Sequence, residues 1–278
     1  MAGGAQKTSQ FNQATSVTQA DQVPLLQGGE LKRVTVGILT GAPDFGWSAT
    51  GESWTYSSYN STYKIGIVTV PSDATVKYQP GMRVRFSQTT GGVKYAIIHD
   101  VSSTTLTLFF GTDYSLANEA IGTPYYSPLD TPIGFNKNPK KWMMSTTFSA
   151  DANQASPSAN VWYNIGGYSL PIGIGAWRTW YEVVGESSSA VSTSNYSVMW
   201  ATLSTANNTQ GPADLVSKEF GNNTGAEGFT LHKETVLEVA SNTTYYINFK
   251  TDNATTNNIQ VYGGAAAATY IRAVSAYL

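Results

Sequence analysis

A chain of 278 residues with 41% hydrophobic content has room for two modest domains and enough apolar material to build a core. Charged residues make up only 12%, the formal net charge is −2 and cysteine is absent, which argues against an electrostatic nucleic-acid binder and excludes disulfides and thiolate metal sites. No apolar run approaches the ~20 residues of a membrane helix, and Met1-Ala2-Gly3-Gly4 lacks the basic and apolar regions of a signal peptide.

In chain order, residues 1–43 form an N-terminal segment. Residues 1–22 are polar and aperiodic, as in a segment that orders only on binding. Pro24-Leu25-Leu26 and Leu31–Val36 then flank Gly28-Gly29, the pattern of a β-hairpin. Two strands own no core, so Val23, Leu25, Leu26, Leu31, Val34 and Val36 are expected to pack on another protein or subunit.

Residues 44–128 carry short strand patterns near Lys64–Val70, Thr75–Tyr78, Met82–Gln88, Lys94–Asp100 and Thr104–Phe109, separated by turn chemistry such as Gln79-Pro80-Gly81 and Thr90-Gly91-Gly92. Met82/Val84/Phe86 alternate with Arg83/Arg85/Ser87, which reads as a strand buried on one face. The expectation is a small SH3-like or OB-like barrel. The Pro, Gly and Asn content of residues 129–141 reads as a linker, and its lysines (Lys137, Lys140, Lys141) as solvated.

Residues 142–278 hold further strand patterns at the spacing of a β-sandwich or jelly roll: Trp142–Ser149, Asn160–Ile165, Trp177–Val184, Tyr196–Leu203, Phe229–Leu231, Thr235–Val239, Thr244–Phe249, Ile259–Tyr262 and the terminal Ala268–Leu278. The class is all-β. The best helical candidate, Pro212–Phe220, is short and uncapped. The terminal strand has no clear water face, and an unfrayed chain end needs neighbours. Ile271, Val274, Tyr277 and Leu278 are therefore expected at a subunit seam.

The order Trp47, Glu52-Ser53-Trp54-Thr55-Tyr56-Ser57-Ser58, Val68-Thr69-Val70-Pro71-Ser72-Asp73-Ala74-Thr75, Lys77-Tyr78-Gln79-Pro80-Gly81-Met82-Arg83-Val84-Arg85-Phe86 resembles a module of tailed-bacteriophage virion proteins. The pattern continues through Gly111-Thr112-Asp113-Tyr114-Ser115-Leu116-Ala117-Asn118. The segment Ala20–Val36 looks like the attachment head of phage fibre proteins, and Tyr270–Tyr277 is similar to the last strand of trimeric fibre tips. The resemblance implies a homotrimeric fibre on the tail or head exterior, made in the host cytoplasm. It would be held to other virion proteins by its N-terminus and present its C-terminal domain to a host-surface glycan. No cofactor, nucleic acid or membrane insertion is expected.

Enzymatic chemistry has little to work with. His99 and His232 are the only histidines, and each reads as a turn or strand-end residue rather than as part of a triad or metal site. Glu234 and Glu238 share a face but lie roughly 13 Å apart along a strand, wider than either glycosidase mechanism uses. A polysaccharide depolymerase is thus disfavoured. Aromatic residues offer the better candidate. In Trp177–Val183 one face, Trp177/Thr179/Tyr181/Val183, is core-like, while Trp180 shares the other with Arg178 and Glu182. Trp180 is then exposed, at a subunit contact, or a platform for stacking a sugar. Trp162 and Trp200 read as core.

Overall fold

The computed structural model describes residues 22–27, 30–35, 44, 46–189, 196–222, 226–264 and 269–278, of which 22–35, 196, 197 and 222 are described as backbone. The described residues are all-β, with short 3-10 turns between strands. β1 (Gln22–Gln27) and β2 (Glu30–Thr35) pair antiparallel as the expected hairpin. Val36, assigned to the same attachment surface, lies outside the described residues.

The middle unit contains β3 (Ser48–Ala49), β4 (Thr55–Asn60), β5 (Ile65–Thr69), β6 (Arg83–Gln88), β7 (Gly92–Val101), β8 (Thr105–Phe109) and β9 (Tyr125–Ser127). They form one antiparallel sheet in the order β3-β9-β6-β7-β8-β5-β4. The path is open, so the barrel expected here does not close. β3 is only two exposed residues long, too short to supply a closing ladder. The strand expected over Thr75–Tyr78 is also absent: Ala74–Val76 form a 3-10 turn, because the Asp73 carboxylate caps it by accepting from the Thr75 N–H at 3.0 Å.

An open antiparallel sheet can leave one face in water, but this one is covered on both. Val68, Val84, Phe86, Ala96, Ile98, Leu106, Leu108 and Phe110 pack with Trp54 and Tyr78 into one core. On the other face Ile65, Ile97 and Phe109 join the core of the C-terminal unit. The consecutive apolar runs Ala96-Ile97-Ile98 and Leu108-Phe109-Phe110 are what burial of both faces requires.

The C-terminal unit is a sandwich. Its strands are β10 (Met143–Thr147), β11 (Ala152–Ala155), β12 (Ser169–Ile172), β13 (Gly175–Ser189), β14 (Tyr196–Ser204), β15 (Val216–Asn222), β16 (Ala226–Val239), β17 (Thr243–Thr251), β18 (Thr256–Val261) and β19 (Tyr270–Ser275). One sheet runs β10-β19-β13-β18-β11 with β16 along the opposite edge of β13, and the other runs β12-β17-β14-β15. β13 is the spine: β16 pairs with it from Gly175 to Ser188, while β19 and β18 share its second edge end to end. Between the sheets Trp177, Tyr181, Val183, Met199, Ala201, Leu203, Ile247, Phe249, Ile259, Val261, Ile271 and Ala273 form the core. The Tyr181 hydroxyl is satisfied there, donating to the backbone carbonyls of Ala201 and Leu215. The helical candidate Pro212–Phe220 resolves into a 3-10 turn at Ala213–Leu215 followed by β15.

The two units meet across a seam of buried side chains. Residues 129–141 lie against it: Phe135 is buried and stacks on Trp142 at 4.9 Å, and the Trp47 indole N–H donates to the Ile133 carbonyl at 2.8 Å. Arg83, expected on the solvent face of its strand, is instead fully buried here. Its guanidinium donates to the carbonyls of Tyr277 (2.7 Å) and Gly81 and lies 4.9 Å from the Phe135 ring centroid. A cation can occupy such a place because carbonyl oxygens and an aromatic face replace water.

Candidate functional site

The outer face of the six-stranded sheet carries the candidate site. Alternation along β13 sends Trp177, Thr179, Tyr181 and Val183 into the core and leaves Arg178, Trp180 and Glu182 outside. Register then assembles three rows across the sheet. Trp180 stands between Glu234 of β16 and Arg272 of β19; Arg178 stands between Val236 and Val274; Glu182 stands between His232 and Tyr270. With Pro139, Ala276 and Leu278 at its end, this face encloses a depression of about 630 Å³.

Its polar groups are held in pairs. The Arg178 guanidinium forms an ion pair with Glu234, and this contact holds the Glu234 carboxyl below its ordinary pKa and raises that of Arg178. The Tyr270 hydroxyl donates to Glu182 at 3.1 Å, and the Arg272 guanidinium lies 3.9 Å over the Tyr270 ring. Burial first, and the Glu182 carboxylate second, push the Tyr270 phenol up. In the middle row the half-buried Trp180 ring lies between Glu234 and Arg272.

The residues expected at a subunit seam divide. Ile271 is fully buried in the chain's own sandwich and cannot touch another subunit. Tyr277 is half-buried, its ring 5.3 Å from that of His99 beside an open depression at the seam. Val274 and Leu278 line the depression beside Trp180. The terminal strand does have a neighbour on each side, but both, β10 and β13, belong to the same chain.

His99 is not the turn residue expected. It is buried at the seam among Phe109, Trp177 and Tyr277. Nδ1 donates to the Ile174 carbonyl at 2.8 Å, which leaves Nε2 to accept from the Ser275 hydroxyl at 3.0 Å. Burial pushes its pKa down to about 4. Both nitrogens are occupied by structure, so His99 has no free valence for catalysis. His232 is exposed on the rim of the depression. Among the described residues no three His, Asp or Glu side chains converge as a metal site, and no helix is long and apolar enough to cross a membrane.

Sequence periodicity placed Arg178, Trp180 and Glu182 on one face but missed Tyr270, Arg272, His232 and Glu234 as their neighbours. Each of the four lies fifty or more residues from the β13 residue it pairs with, and only the register brings them together. Trp162 and Trp200 also differ from the expected core positions. Both are half-buried rather than core, on the outer face of the second sheet.

No family model and no curated protein matches the chain. Among solved structures it is similar to dimeric latent PorU from Porphyromonas gingivalis, at 7% identity and a TM-score of 0.29, with 81% of this chain and 24% of that chain covered. It is also similar to a chain of the T13 infectious bursal disease virus particle, at 12% identity and a TM-score of 0.29, covering 91% of this chain and 66% of that one. The VP2 subviral particle of the same virus follows at 11% identity and a TM-score of 0.28, with 91% and 68% covered. The chain thus spans about a quarter of the first and two thirds of the second. Superpositions this loose carry no argument about function.

Proposed function

We propose that this chain is a structural protein of a tailed-phage particle, a homotrimeric fibre attached through residues 1–43, whose C-terminal sandwich recognises a saccharide of the host surface. The observation that supports recognition is the setting of Trp180: an aromatic face in a depression of about 630 Å³, flanked by the Arg178–Glu234 and Glu182–Tyr270 pairs. Sugar rings stack their C–H faces on such rings, and paired charged groups offer donors and acceptors together to vicinal hydroxyls. The module resemblance over residues 44–128 and the small-polar surface composition support the virion assignment. No catalytic role is proposed.

The test is binding of the full chain to host cells and to purified host-surface glycan, with Trp180→Ala beside it. Recognition predicts binding by the parent and loss in the variant. A verified trimer that binds neither would overturn it, and release of reducing ends from the glycan would replace it with a depolymerase.

A second reading has one observation behind it. Val236 is 61% exposed and shares a row with Val274, close to Leu278. That apolar strip also fits a subunit contact, as in a head fibre or decoration protein without a receptor. Val236→Glu would then lower the molecular mass measured by light scattering while leaving the monomer folded.

A further inference from the structure

The opposite face of the sandwich carries a second, unrelated arrangement. On the outer side of the four-stranded sheet Trp200 of β14 stands between Lys218 of β15 and Lys250 of β17. The Lys250 ammonium lies 4.7 Å from the Trp200 ring centroid and 5.1 Å from that of Trp162, while the Lys218 ammonium lies 5.1 Å from Trp200 and 5.4 Å from Phe220. Ring and cation therefore alternate across the face as Trp162, Lys250, Trp200, Lys218, Phe220. Strand spacing makes this ladder about 14 Å wide from β15 past β17. Phe220, at its end, is 66% exposed.

Among the described residues neither ammonium group is ion-paired with a carboxylate. Two nearby acids are engaged elsewhere: Asp252 accepts from the Val198 N–H at 2.8 Å and Glu219 from the Thr230 N–H at 2.8 Å. In a chain of net charge −2, two unneutralised cations held on aromatic rings mark a local preference for anions.

We infer that this ladder is a second binding surface, for an anionic saccharide chain, distinct from the depression around Trp180. The rings accept the C–H faces of successive sugars and the lysines, two strand spacings apart, pair with carboxylate or phosphate groups on the polymer. A nucleic-acid strand fits less well, because two lysines without a wider basic stripe release too few counterions to hold a phosphate backbone. A second copy of the same face is disfavoured too, since it would oppose lysines with lysines.

The experiment is calorimetric titration of the intact protein with oligogalacturonate, a poly(glycerol phosphate) fragment, neutral maltooligosaccharide and oligothymidylate. The comparison proteins are Lys218→Met/Lys250→Met, which keeps the aliphatic stems, and Trp180→Ala. Expected on the Trp180→Ala background, where the groove no longer contributes, is binding of at least one anionic saccharide, weakened by salt and by about tenfold or more when Lys218→Met/Lys250→Met is added. The preference between the carboxylate and phosphate probes identifies which anion the polymer carries. Equal binding of the neutral saccharide, tighter binding of oligothymidylate, no binding of either anionic saccharide, or undiminished binding by a double variant with parental circular dichroism would each overturn the inference. So would loss of the oligomer in the double variant, which would make the face a subunit contact. Because Trp180→Ala leaves this surface intact, failure of the ladder and failure of the Trp180 groove give different results.

Discussion

The molecule uses an arginine, a histidine and a tryptophan twice, to opposite ends. At the seam Arg83, His99 and Trp177 are buried, and every polar atom the seam encloses on Arg83 and His99 meets a carbonyl or hydroxyl. The Trp177 indole N–H likewise donates to the Gly173 carbonyl at 2.8 Å. On the outer sheet face Arg178, His232 and Trp180 stand around an open depression, with Arg178 and His232 exposed. Residue type therefore says little about role here. What differs is saturation: a side chain whose valences are closed by its own chain holds structure, and one left facing solvent can meet a ligand.

The comparison breaks most visibly at the seam. Arg83→Met should cost about 3–4 kcal/mol, because the carbonyls of Tyr277 and Gly81 lose a charged donor while buried; urea unfolding measures it, and a loss near zero would mean that water enters the seam. Acid should act next, through His99. Its folded pKa of about 4 lies below the ordinary value of 6.5, so the seam holds the neutral ring and the unfolded chain takes up the proton first. The stability it contributes is complete above pH 6.5 and declines as pH falls toward 4, by about 3 kcal/mol in total. His99→Gln should flatten the stability–pH profile over that window.

Gly175 starts β13 with φ +123°, and a Cβ there would sit 2.5 Å from His99 Nδ1. Gly175→Ala should therefore destabilise by about 2 kcal/mol through backbone strain and displacement of the imidazole. The outer face should respond least. Glu234→Gln frees Arg178 without leaving any buried charge, so melting should not move measurably. Trp180→Ala should likewise perturb stability less than any seam variant, its effect falling on saccharide binding. An outer-face variant that unfolded the chain would erase the distinction between the two regions.

Legibility follows the same division. The hairpin around Gly28-Gly29 and the strand patterns of β6, β7, β8 and β13 were readable because alternation and turn residues are local. Arg83 was misread because alternation says which residues share a face, not what covers that face. The same limit put Trp200 in the core: a strand with apolar residues on both sides looks doubly covered whether the second side meets protein or a row of lysine stems. His99 looked like a strand end because the seam that buries it comes from residues 174 and 275.

By itself the sequence determined the all-β class, the hairpin, the approximate strand set and the face on which Trp180 lies. All of these rest on a two-residue period and on Gly, Pro and Asn turns, which act within a few residues of chain. Only the tertiary structure decided that the middle sheet stays open against the sandwich, that Ile271 serves the chain's own interior, and that Trp180 and Trp200 stand on opposite outer faces. Those outcomes depend on pairings between strands far apart in sequence, where register, not composition, selects each side chain's neighbours.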